Sequence, residues 1–149
     1  MADFPSGGTE VTPATDVPDL TGLKCTPNST TGFQQQVKSE VTATSGRVYG
    51  NIVAQFDGVA DADGFMSAFA ASAQACADAS VKPIADNFGN ASFYFTISAS
   101  PNDLRVESVR WGNLISIVIQ YVPPGVQPDD TSLRNVTSNS LNNLKAISG

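Results

Sequence analysis

Apolar and polar residues alternate strictly along "FQQQVKSEVTAT" (33–44), with Phe33, Gln35, Val37, Ser39, Val41 and Ala43 on one side. A repeat of two is that of a half-buried strand. Phe33, Val37 and Val41 are also spaced by four, as in a helix, but the Val and Thr content favours the strand. "TSGR" (44–47) reads as a turn, and "RVYGNIVAQF" (47–56) as a second strand with Val48, Ile52, Ala54 and Phe56 inward. The period then changes. Phe65, Met66, Phe69, Ala73 and Cys76 recur at helical spacing and predict an amphipathic helix over about 61–78, capped by Asp61 or Asp63.

Strand patterning returns afterwards. "ASVKPIA" (79–85) is short, and its Pro83 suggests a sheet edge. "NASFYFTIS" (90–98) sets Phe93, Phe95 and Ile97 against Tyr94 and Thr96. The turn "SPND" leads to "LRVESVRW" (104–111), and a tight "GN" leads to the apolar run "LISIVIQYV" (114–122), read as a central strand. After "PPGVQPDD", Asp130 or Thr131 can cap a last helix over about 131–147. Its stripe is Leu133, Val136, Leu144 and Ile147, with Leu141 beside it. The expectation is an α+β fold of order ββαββββα: a meander-rich antiparallel sheet of about six strands with both helices on one face.

Residues 1–22 carry no such period and are rich in Pro and Gly, which makes them a flexible leader or tether ahead of one domain over 23–149. A frayed terminus without a role fits them equally well. Met1 is followed by polar "ADFPSGG" rather than by a signal peptide, so the chain reads as a mature form to which Met1 was added.

Composition narrows the partners. The net charge is −6, and the eight Lys and Arg residues are scattered, with no basic patch to displace counterions from nucleic acid. The same deficit argues against docking on an anionic bilayer, and no window is long and apolar enough to span one. Charged residues are only 15%, their place taken by Ser, Thr, Asn, Gln and Gly. A neutral polar surface of this kind is common in exported bacterial proteins.

Candidate chemistry is sparse. The absence of histidine removes Ser-His-Asp and Cys-His constellations and most zinc sites. "DGVADADG" (57–64) has the look of a calcium loop, but Ala70 stands where the bidentate Glu is needed, so helix capping explains it better. No metal, no cofactor and no catalytic residue is expected. Tyr49, Tyr94, Trp111 and Tyr121 are candidates for a ligand cleft, with core packing the plainer reading; Tyr49 and Tyr94 are expected to point away from the helix-covered face. Cys25 and Cys76 are the two cysteines. A bridge would close a loop of roughly fifty residues and stabilise by about 4 kcal/mol in the chain-entropy account. It suits an oxidising compartment, and two buried thiols in a cytosolic protein are the alternative.

Three stretches together resemble the extracytoplasmic sensor domain of PknH-type mycobacterial kinases, a family that also occurs as free-standing lipoproteins. They are "LKCTP" ahead of a hairpin, "VAQFDGVADADGFMSAFAASAQACADASV" as strand, helix and helix-terminal Cys, and "VRWGNLISIVIQYV" ahead of a final helix. The resemblance covers about 23–147. It implies an α+β domain outside the membrane with a central cleft for an unidentified ligand, and it matches Cys25 and Cys76 to a family disulfide. Family members often carry a second bridge late in the sheet. The matching positions here are Leu104 and Tyr121, so apolar cross-strand packing would replace that link.

The expected function is therefore a non-catalytic, extracytoplasmic ligand-binding or sensor-like domain of the cell envelope. Its partner would be a small molecule or lipid, and it would meet the membrane only through a lipid anchor. The alternative is a structural or protein-interaction module of the envelope with no small-molecule ligand. A hydrolase built on paired carboxylates is the third.

Overall fold

The computed structural model describes residues 12–14, 30–76, 79–82, 88–98 and 103–148, with the backbone alone at 12–14 and 79–82. The elements in chain order are β1 (Thr12–Ala14), β2 (Phe33–Thr42), β3 (Val48–Phe56), α1 (Val59–Ala75), β4 (Ala79–Lys82), β5 (Ala91–Ser98), β6 (Asp103–Trp111), β7 (Leu114–Val122) and α2 (Asp130–Ile147). The fold is α+β. Five long strands in the order β2-β3-β7-β6-β5 make an antiparallel sheet, and the three-residue β1 and four-residue β4 flank it. The expected six strands are thus replaced by five long ones and two short ladders. Three residues inside a Pro-rich leader carry no period for a sequence pattern to register.

The expectation of two helices on one face is overturned. On β7, Ile115, Ile117 and Ile119 join the core beneath α1, with Phe65, Met66, Phe69 and Ala73. The intervening Val118 packs instead with Leu133 and Val136 of α2. Alternate residues of a strand point to opposite faces, so α1 and α2 cover opposite sides of the sheet. This is also why "LISIVIQYV" reads as an unbroken apolar run: both of its faces are buried.

The stripe expected on α1 holds, with Ala62, Phe65, Met66, Phe69 and Ala73 buried. Its start moves. Gly58 is the N-cap without a side-chain hydrogen bond, Asp61 lies in the first turn, and Asp63 pairs with Arg110 at 3.1 Å instead of capping. On α2 the cap is Asp129, one residue before the expected Asp130 or Thr131; its carboxylate accepts from the Ser132 N–H at 2.9 Å and from Ser132 Oγ at 2.7 Å. Leu133, Val136, Leu141 and Leu144 are buried, whereas Ile147 is 71% exposed because the stripe outruns the sheet beneath it.

One local irregularity redirects a side chain. The β2–β3 register shifts between Phe33 and Gln35, and such a bulge carries Phe33 over to the α1 face. There its ring meets Phe56 edge-on at 5.9 Å. Val37 consequently does not share a buried side with Phe33; it is 39% exposed. At the same end of the sheet, next to Phe56, a two-residue hairpin, Gly112-Asn113, joins β6 to β7. Gly112 there takes φ 59, the first-position glycine of a II′ turn.

Candidate functional site

The four aromatics proposed as a cleft do not converge. Tyr49 is 1% exposed and sits in the small cluster with Val118, Leu133 and Val136, sealed under α2 rather than turned away from helix cover. Tyr94 is half-buried on the same face beside the first turn of α2, where its Oη donates to Asp130 Oδ1 at 3.3 Å. Trp111 lies near the last turn, under Lys145 Nζ at 4.9 Å. The rise of a helix separates Asp130 from Lys145 by roughly 22 Å, so Tyr94 and Trp111 cannot line one small cavity. Tyr121 is on the other face, packed against the α1 core. It is the direct register partner of Leu104, so these two positions do pack across the strands.

What the α2 face does assemble is a set of polar side chains. Asn51 Nδ2 donates to Ser140 Oγ at 3.1 Å, Ser140 Oγ to Ser116 Oγ at 2.8 Å, and Ser116 Oγ to Asn51 Oδ1 at 2.8 Å, closing a buried triangle between β3, β7 and α2. Gln120 grips the start of α2 through both backbone polar groups of one residue: its Nε2 donates to Asp129 O at 2.8 Å and its Oε1 accepts from Asp129 N–H at 3.0 Å. The same Nε2 lies 3.1 Å from Tyr49 Oη. Asp129 is held below the usual carboxylate range by the Ser132 hydrogen bonds.

A charged group flanks this network on the β5 side. Arg105 Nη1 donates to Tyr94 Oη at 2.8 Å and reaches Asp130 Oδ1 at 3.3 Å. Its Nε is buried with no hydrogen-bond partner among the described residues. Glu107 is 2% exposed, two residues along β6 and opposite Tyr94 in the register; Arg134 Nη2 stands 3.5 Å from its Oε1. Burial raises the Glu107 carboxyl above its ordinary range, against the pull of Thr137 and Arg134. Burial likewise raises the Tyr94 phenol. Arg134 in turn lies over the Phe88 ring at 4.9 Å. Among the described residues no second carboxylate with a raised pKa faces Glu107, and no cluster of three or more potential metal ligands occurs.

Of these residues only Tyr49 and Tyr94 were candidates from sequence. Asn51, Arg105, Glu107, Ser116, Gln120, Arg134 and Ser140 went unnoticed, although polar residues set inside otherwise apolar strands were a usable signal. Cys76 is the C-cap of α1 and packs partly buried against the α1 core. Cys25 lies outside the described residues.

No family model matches the chain, and no curated protein matches it. Among solved structures it is similar to the extracellular domain of PknH from Mycobacterium tuberculosis, with a TM-score of 0.62 at 11% identity over 95% of this chain and 89% of that one. The likeness is one of fold. No described helix is long and apolar enough to cross a membrane.

Proposed function

We propose that this chain is a non-catalytic, extracytoplasmic, sensor-like domain that binds a small molecule or lipid beside α2. One observation carries the reading: nearly the whole chain shares its fold with an extracellular domain. The binding group we assign is Tyr94, Arg105 and Arg134, with Phe88 as an apolar wall. Half-buried polar groups next to an aromatic ring are the ordinary makings of a ligand site, and the unpartnered Arg105 Nε supplies an N–H that a ligand acceptor could satisfy. The leader over 1–22 would tether the domain to a lipid anchor in the envelope. Cys25 and Cys76 would form a disulfide; in support, no described cysteine is a free thiol, and a secreted domain favours the oxidised pair.

Mass spectrometry of the protein purified from its own host tests both parts. Under native conditions the expected result is a bound small molecule or lipid that the R105Q variant loses. Bare protein in repeated preparations would overturn the binding reading. In the denatured, unreduced sample the expected mass is lighter by two hydrogens than the reduced chain, and an unchanged mass would overturn the disulfide.

A further inference from the structure

On one side the sheet ends in β2, a ten-residue strand, and the edge strand β1, which pairs with β2 over 36–38; among the described residues no other strand pairs with that edge. The central residue of β1 is Pro13, which has no N–H to give to a ladder. A long strand whose described ladder partner on one edge is so short is a template for pairing with another strand. We propose that the outer edge of β2 is a self-association edge, pairing antiparallel with β2 of a second copy about a two-fold axis at Ser39. β1 occupies part of that edge in the monomer and leaves it in the dimer.

The sequence of β2 selects both the occupant and the register. Centred on Ser39, the pairing sets Lys38 of each copy opposite Glu40 of the other, so two opposite-charge pairs form at once. The same register places Val37, 39% exposed in the single chain, opposite Val41, and Gln36 opposite Thr42. Because directly opposite residues share a face, the apolar and the charged pairs fall on opposite sides of the extended sheet. Neighbouring registers do worse. Centring on Lys38 or on Glu40 sets like charges against each other, and centring on Val37 or Val41 leaves both charges facing uncharged side chains. A strand complementary to itself in one register generates a closed two-fold dimer, which goes no further because each copy uses its edge once. The inference is independent of the ligand reading, since β2 and the Tyr94–Arg105 group lie on different parts of the sheet.

Sedimentation velocity on the full chain, from low micromolar to submillimolar concentration, tests it. The wild type is expected to show a concentration-dependent monomer–dimer equilibrium. K38E and E40K each turn two attractive pairs into two repulsive ones, and each should raise the dimerisation midpoint by about tenfold. An equimolar mixture of the two variants should dimerise again, because every charge then meets its opposite. A wild type that stays monomeric throughout would overturn the proposal, as would single variants that associate like the wild type. Glu40 is exposed, so E40K carries the test alone if K38E loses the native circular-dichroism spectrum.

Discussion

The two faces of one sheet are built on different principles. Beneath α1 the contacts are mainly apolar and aromatic: Phe69 lies 5.1 Å from Phe93, 5.5 Å from Phe95 and 6.0 Å from Phe65, and Phe65 in turn 5.2 Å from Phe56, with Ser108 Oγ donating to Met66 Sδ and the Arg110–Asp63 pair as polar exceptions. Beneath α2 a small apolar cluster is ringed by Asn51, Ser116, Ser140, Gln120 and Glu107, all buried. Burial of apolar area is non-directional and supplies the bulk of stability. A closed polar network adds less but accepts only one arrangement, since a small shift leaves buried donors unmatched. The α1 side therefore holds the fold together, while the α2 side fixes where its helix sits.

Truncation in the aromatic face should have the largest effect. F69A removes a ring that packs on three others and leaves a cavity, so a loss of about 3–5 kcal/mol is expected. Urea unfolding followed by circular dichroism would show it as a lower midpoint at an unchanged slope. A loss below about 1 kcal/mol would mean that this face is not the stabilising one. The polar face should respond less and differently. N51A leaves the Ser116 hydroxyl without its acceptor and Ser140 Oγ without its incoming donor, and should cost about 1–3 kcal/mol. Adding S116A and S140A removes those stranded groups, so the triple variant should be more stable than the sum of the three single losses. Strict additivity would break the comparison, because it would mean the three side chains do not act as a unit.

The α1 face was legible in the sequence because its residues follow one period at a time: 3.6 along Phe65, Phe69 and Ala73, and two along Phe93, Phe95 and Ile97. The α2 face was not, because its strand positions break the apolar code. Glu107, Gln120 and Asn51 look like solvent-facing residues, yet a helix covers them. On that helix Thr137 and Ser140 look like the polar flank and are buried. An amphipathic stripe says that a helix is covered; it does not say which side of the sheet does the covering. The unbroken run in β7 was the one available sign of two covered faces. Bulge and cap positions stayed hidden for a similar reason. Phe33 changes side through a register shift, and Asp129 is chosen over its neighbours by the grip of Gln120, contacts between residues far apart in the chain.

The smallest expected effect is also the one that separates the faces by sign. Glu107 is a carboxylate that burial makes easier to protonate in the folded protein than in the unfolded chain. A group whose folded pKa is raised contributes most below the unfolded carboxylate range, near about 4.3, and that contribution is lost as pH rises through its folded pKa. Asp129, lowered by Ser132, works in the opposite direction, its contribution being lost as pH falls. Comparing wild type with E107Q at each pH cancels Asp129 and every other titrating group that the substitution leaves alone. The variant gives up an ion pair to a partly exposed Arg134, which is weak, and no longer buries a charge. Its stability relative to wild type should therefore climb as pH is raised from about 4 and then level off, ending within about 1 kcal/mol of wild type at neutral pH. Urea midpoints measured at half-unit intervals would resolve the trend. Parallel curves would mean that Glu107 does not feel its burial, and that the α2 face tolerates charge as water does.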